Sequence, residues 1–557
     1  MRAHMSPLSG VATFGDQYIA SAGYDNQVIL WDAKTKESLY SVRHDHLANQ
    51  CQFHPSGKYL ISSSSDFSAR LWSVPDMKLL AVLSDHKDDV EMSSFHPHKK
   101  LIATASRDNN VRVFDFSGQC LYLFKGHEAD VISVIWSEDG QSLISSSDDG
   151  TVRSWSLNLN KCTDIKDFEE VETDTLVIFP DKTLYLGNDL GEIISLKSTE
   201  AKRLKAHESG IKRLIHCPER NIILSLSYDR TMKLWKKSSQ GELSLMNQSF
   251  LPDIVWPRSA AFLGKENIVF STFGTTYCTY NFISKRWSIE NVGDTHGINS
   301  VFAKGKDIFT IGDSGVLKKN NREIQKIGSL CNFLIDFKGF LITGGQKGAV
   351  YNALTGELIF QNKSPLNCAT VFNDYLVIGT YTGEALFFKQ AKRGHPTFEK
   401  SIMLHSNAIK GISASKDFLF SVSANGDSAL FKGNEIHDLK KSHSKIANGC
   451  THLKDNYFAS ISRDLKLRLF DEINIEVVDT PHENSIKCIQ SDQSGRYVAT
   501  GSYGGQIAIF DTQLKKWTHS YRPTQSGISS ITYNPSDQEF IASSYDGHLY
   551  FISLEEK

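Results

Sequence analysis

The chain has 557 residues, 61 basic and 63 acidic, and a net charge of −2. It is too long for one ordinary core, and too evenly charged for a broad pull toward nucleic acid or an anionic membrane. Its nine cysteines are scattered and form no Cys-x-x-Cys pair, which argues against a disulfide framework or zinc cluster and for a reducing compartment. No apolar run approaches the roughly 20 residues that span a bilayer. The N-terminal MRAHMSPLSG lacks an apolar signal core, so a cytoplasmic protein without membrane insertion is expected.

In chain order, the first elements are near copies of one another: YIASAGYDNQVILWD (18–32), YLISSSSDFSARLWS (59–73), LIATASRDNNVRVFD (101–115) and LISSSDDGTVRSWS (143–156). Variants follow at 222–236, 458–471, 498–511 and 540–553. Each is an alternating apolar run, a polar turn and a second alternating run, the pattern of a β-hairpin. The spacing is stricter than a hairpin needs. Asp25, Asp66, Asp149 and Asp229 each stand six residues before Trp31, Trp72, Trp155 and Trp235, and Asp108 and Asp464 stand six before Phe114 and Phe470. His44, His86, His127 and His207 precede their aspartates by 22 residues, and His4 and His443 by 21.

These residues resemble the WD-repeat (WD40) family: a histidine before strand a, an aspartate in the b–c turn, and Trp-Asp or a relative closing strand c. Trp31-Asp32, Phe114-Asp115, Phe470-Asp471 and Phe510-Asp511 carry that ending. The resemblance implies an all-β fold of four-stranded blades around a central channel. Fourteen repeats starting near residues 4, 44, 86, 127, 168, 207, 252, 296, 328, 364, 405, 443, 482 and 525 have the family's period of about 40 residues. They divide into tandem seven-bladed β-propellers, 1–292 and 293–557, with KRWSIENV (285–292) as the last strand of the first. No outer strand is visible for the fourteenth blade. It is three-stranded, or its edge comes from a longer chain or a partner.

The resemblance also implies a buried hydrogen-bonded chain in each well-kept blade: His44, Asp66 and Trp72; His127, Asp149 and Trp155, joined by Ser145 or Ser146; and His207, Asp229 and Trp235. A His-Asp-Ser catalytic site is the competing reading, but a triad need not recur in blade after blade. His44-Asp45-His46 and His96-Pro97-His98 look like metal clusters but lack a third converging ligand. Gly344-Gly345-Gln346-Lys347-Gly348 resembles a phosphate loop without its Gly-Lys-Ser/Thr ending and reads as a b–c turn. Gly312-Asp313-Ser314-Gly315 resembles a serine-protease nucleophile motif and reads as the same turn in a worn blade. No cofactor or metal is expected, and no enzymatic activity.

Binding signals lie in the loops. The residue before each turn aspartate is expected to point outward from one face. These are Tyr24, Ser65, Arg107, Asp148, Tyr228, Arg463 and Tyr545, with Tyr381 and Tyr503 where the aspartate is missing. Tyr and Arg are enriched at binding hot spots. Asp88, Asp89, Glu91, Glu128 and Asp130, in the d–a loops of blades 2 to 4, are expected to form an acidic sector for a basic segment of a partner. The expectation is a non-enzymatic scaffold for other proteins or peptides, with no nucleic acid. Its organisation is similar to that of actin-interacting protein 1, a filament-disassembly factor. Its early repeats are also similar to bacterial WD-repeat chains of MoxR and von Willebrand-A associated stress or conflict systems.

Overall fold

The computed structural model describes residues 3–168, 171–197, 200–391, 394–433, 435–439, 442–471 and 474–554; Met1, Arg2 and the last three residues lie outside them. The alternating runs form strands and the Gly/Asn/Asp turns join them as antiparallel hairpins, giving thirteen four-stranded sheets and one of three strands. The three-stranded sheet is the last, built from Ile528–Asn534, Glu539–Ser544 and Leu549–Ser553. Each sheet uses consecutive strands, lettered a to d from the channel outward. In blade 4, Val131–Trp136, Ser142–Ser147 and Thr151–Ser156 are largely covered, while strand d, Lys161–Asp167, is largely exposed.

The chain divides into two compact units, Met1–Thr295 and His296–Lys557. In each, strand a of one blade lies beside strand a of the next, and strand a of the seventh returns to the first. Each unit is thus a seven-bladed β-propeller closed without strand exchange. At the first unit's seam, Val11 N–H donates to Ser259 Oγ at 3.1 Å and Thr13 Oγ1 donates to the Phe262 carbonyl at 2.6 Å. Trp31 meets Tyr277 edge-on across it at 5.6 Å.

The core lies between blades. Between the third and fourth, Ala103, Ala105, Val111, Val113 and Phe124 meet Val131, Val134, Trp136, Leu143 and Trp155. Each fully buried apolar side chain of this kind contributes about 1.5–3 kcal/mol. The serine-rich b strands fit because small side chains let neighbouring sheets approach; Ser145, Ser146 and Ser147 are buried.

One irregularity recurs in every blade: the a–b register slips near the top of strand a. Such a bulge re-aims the extra residue. In blades 1 to 6 that residue is Ser9, Asn49, Glu91, Ile132, Asp174 and Lys212. Blade 7 has a longer slip over 256–259. In the second unit it is Asn299, Asn332, Asn367, Lys410, Asn448, Lys487 and Ser529.

Candidate functional site

The recurrent histidines are structural. In blade 4, Trp155 Nε1–H donates to Ser145 Oγ at 2.8 Å, Ser145 Oγ lies 2.7 Å from His127 Nε2, and His127 Nδ1 lies 2.8 Å from Asp149. The indole can only donate and the carboxylate only accept, so the Ser145 hydroxyl accepts from Trp155 and links it to His127, whose Nδ1–H donates to Asp149. Ser145, not Ser146, is the link; Ser146 Oγ is buried without a hydrogen-bond partner. The same geometry joins Trp31, Ser21, His4 and Asp25; Trp72, Ser62, His44 and Asp66; and Trp235, Ser225, His207 and Asp229. Despite burial, the histidine hydrogen bond holds Asp66 and Asp149 below the usual carboxylate range, and Asp229 at about 2. These hydroxyls are committed to the fold.

The other look-alike motifs resolve as turns. His96 Nδ1 accepts the backbone N–H groups of His98 and Lys99, each at 2.9 Å, and the His96 ring packs 4.6 Å from Trp136. Gly344 and Gly345 end one strand and Gly348 turns into the next with φ +72°. Ser314 lies between the strands Asp307–Gly312 and Val316–Lys319, and its Oγ accepts the Val316 N–H at 3.3 Å. Gly315 has φ +66°, and a Cβ there would meet the Ser329 carbonyl at 2.3 Å, so the turn itself requires glycine.

The residues before the turn aspartates do not project freely. Tyr24, Arg107, Asp148, Tyr228, Tyr381, Arg463, Tyr503 and Tyr545 are all partly covered, and Ser65 is buried. The reason is position: they sit at the top of strand b, beside the bulge residue of strand a. The expected acidic sector also changes. Asp88, Asp89 and Glu91 are buried, Asp130 is partly covered, and only Glu128 is exposed. Arg107 Nε lies 2.5 Å from Glu91 and Arg107 Nη1 2.5 Å from Asp130, so the arginine and acids expected on separate loops are one cluster.

That cluster continues through the first unit. Arg258 Nη2 reaches Glu91 at 3.3 Å, and Lys212 Nζ lies 2.5 Å from both Asp174 and Asp189. The carboxylates of Asp148, Glu172 and Asp174 come within 4.8 Å of one another, close enough to share one cation. Burial, then Glu172, raises Asp148 well above its ordinary value. Burial, then Asp189, raises Glu172 to about 8. Burial, with Asp189, also raises Asp174 against the pull of Lys212. Three cations, Arg107, Lys212 and Arg258, face seven acids: Asp89, Glu91, Asp130, Asp148, Glu172, Asp174 and Asp189.

Aromatic groups flank these charges. Tyr24 meets Trp256 edge-on at 5.2 Å, Trp256 stacks on Phe273 at 5.4 Å, and the Arg258 guanidinium lies 5.5 Å over Trp256. Lys212 Nζ lies 5.1 Å over Tyr228. Glu172, Asp174, Asp189, Lys212, Trp256 and Arg258 are not among the residues expected from the sequence. Part of the signal was present: where the histidine is kept, the bulge residue stands five after it, as in His86 to Glu91 and His207 to Lys212.

In the second unit the corresponding positions are asparagine, lysine and serine. Asn299, Asn332, Asn367 and Asn448 each donate to the first strand-a carbonyl of the next blade, at 3.1, 2.8, 2.8 and 2.7 Å. Lys410 lies 5.0 Å over Tyr381 and Lys487 5.9 Å over Tyr503. The four asparagines, the two lysines and Tyr545 line a cavity of about 420 Å³.

Six segments, 37–73, 77–115, 118–156, 198–236, 476–511 and 515–553, match the family model for the WD domain, G-beta repeat. These six segments carry the WD40 repeat, four in the first unit and two in the second. Among similar proteins, a transcriptional corepressor, LEUNIG_HOMOLOG, of Arabidopsis thaliana is 24% identical over 270 residues, covering 40% of this chain and 34% of that protein. Transcription initiation factor TFIID subunit 5 of Caenorhabditis elegans is 32% identical over 179 residues, 32% of this chain and 28% of that protein. The target of rapamycin complex subunit wat1 of Schizosaccharomyces pombe is 23% identical over 231 residues, 39% of this chain and 73% of that protein. The chain thus spans about a third or less of the first two relatives. Among the described residues, no helix is long and apolar enough to cross a membrane.

Proposed function

We propose that the chain is a non-enzymatic scaffold for protein–protein interaction, and that the first unit receives a basic segment of a partner over its charged, aromatic-flanked cluster. The observation that carries this reading is the excess of part-buried carboxylates over cations around Asp148, Glu172 and Asp174, two of them crowded enough to hold protons well above the usual range. A guanidinium or ammonium group would relieve that crowding. Subunits of multi-protein complexes among the similar proteins agree with a scaffold role. Nine cysteines, all free, suit a cytoplasmic setting.

The test is calorimetric titration of the full chain with a hexa-arginine peptide. Saturable binding is expected, weakened at least tenfold by Glu172→Gln with Asp148→Asn, and absent for hexa-glutamate. Binding unchanged in the double variant overturns the reading. The narrower role of an actin-filament disassembly factor rests on architecture alone; filament sedimentation with and without cofilin tests it. A place in a bacterial stress or conflict system is the other narrow reading, tested by co-purification with a MoxR-type ATPase.

A further inference from the structure

A second feature of the first unit has the opposite sign. Arg213, one residue after the bulge of blade 6, is the one long cation in a layer otherwise made of Gly10, Gln50, Met92, Ser133, Thr175 and Ser259. Its Nε is buried without a hydrogen-bond partner, and its Nη1 reaches only the Met92 sulfur, at 3.9 Å. Burial and the neighbouring Arg258 pull its pKa down to about 10. Glu91, Asp130, Asp174 and Asp189 are bound by Arg107, Arg258 and Lys212. A guanidinium offers five donors in a planar fork matched to an oxyanion, and leaving it unpaired in a covered site is costly.

Arg213 lines a cavity of about 640 Å³ whose walls include Phe95, Trp136, Ile178 and Phe179. The a–b turn residues Pro55, Glu138 and Pro180 also line it and are exposed, so it opens on the a–b turns, away from the b–c turns and the acidic cluster. A volume of this size suits a small organic ligand. His216, also lining it, is held neutral at pH 7 because burial lowers it to about 4. The site thus combines one unpaired cation with an apolar wall.

We propose that this cavity binds a small amphiphilic organic anion, its acidic group on the Arg213 guanidinium and its apolar body against Phe95, Trp136, Ile178 and Phe179. The ligand enters from the a–b turn side, where it does not pass the carboxylates. Arg213 is then retained for binding at the expense of stability.

The test uses the full chain and anilinonaphthalene sulfonate as probe, with the uncharged N-phenyl-naphthylamine as control. Saturable sulfonate binding with energy transfer from tryptophan is expected. Arg213→Met should weaken it by at least roughly tenfold and leave the uncharged probe unaffected. The same variant should raise Tm without ligand, because replacing an unpaired, part-buried charge with an apolar side chain of similar length removes a desolvation penalty. Sulfonate binding of equal strength in Arg213→Met overturns the proposal. So does a lowered Tm in that variant, which would make Arg213 a structural strut.

Discussion

The two units share one architecture and differ in what they keep of the repeat. The first has four complete Trp–Ser/His–Asp chains and a fifth, His86–Asp108, with phenylalanine in place of tryptophan. In the second, His443 keeps its aspartate at 3.3 Å, whereas His405 and His482 keep only a hydroxyl, Ser421 and Thr500, at 2.8 Å. Yet six of the second unit's seven blades keep all four strands. Their cohesion comes from aromatic packing, as where Phe420 stacks on Phe458 at 5.0 Å and meets Phe470 at 4.8 Å. Asparagine stitches between neighbouring a strands add to it. The polar network therefore stiffens a blade but does not define it; apolar alternation and turn chemistry do.

Substitutions can break that comparison at graded strength. Phe420→Ala, removing a fully buried ring of the second unit, should cost about 3–5 kcal/mol, read as lost hydrogen-exchange protection in blades 11 and 12. Asp149→Ala should cost about 1–3 kcal/mol in the first unit. Asp149 sits below its unfolded value, so its contribution is present above that value and lost as pH falls through the folded one. Asp149→Asn should accordingly flatten the acid limb of a pH-dependent unfolding series. Asn367→Ala leaves the Ile409 carbonyl without its 2.8 Å donor and should cost about 1 kcal/mol, measured by denaturant unfolding. Ser314→Ala should shift stability by less than about 0.5 kcal/mol; a larger loss would mean that this turn is not the simple hairpin described here.

The sequence disclosed hairpins, repeat spacing and the histidine–aspartate pairs because each is a local pattern repeated at fixed offsets. It also pointed to the three-stranded sheet that the described residues form in the last blade. It did not disclose where loop side chains point. Arg107 reads as an exposed turn residue, but the bulge at Glu91 places a carboxylate beneath it and Asp130 beside it, so it turns inward. Asp174 and Trp256 lie in blades whose histidine is gone, so no offset marks them. In blade 5, Asn188 replaces the missing network: its Oδ1 accepts the Glu192 N–H and its Nδ2 donates to the Glu192 carboxylate, both at 2.9 Å. That substitution is intelligible only once the turn is seen.

Under the proposed function, the first unit's acids are poised for a cation. Glu172, raised to about 8, is protonated at neutral pH and should ionise when a guanidinium arrives. Hexa-arginine binding should therefore release protons and tighten as pH rises from about 6 toward 9. The direct measurement is titration calorimetry at pH 7.5 in two buffers of different ionisation enthalpy. Net proton release on binding is expected, reduced in Glu172→Gln. Binding without proton exchange, or identical exchange in Glu172→Gln, would contradict it.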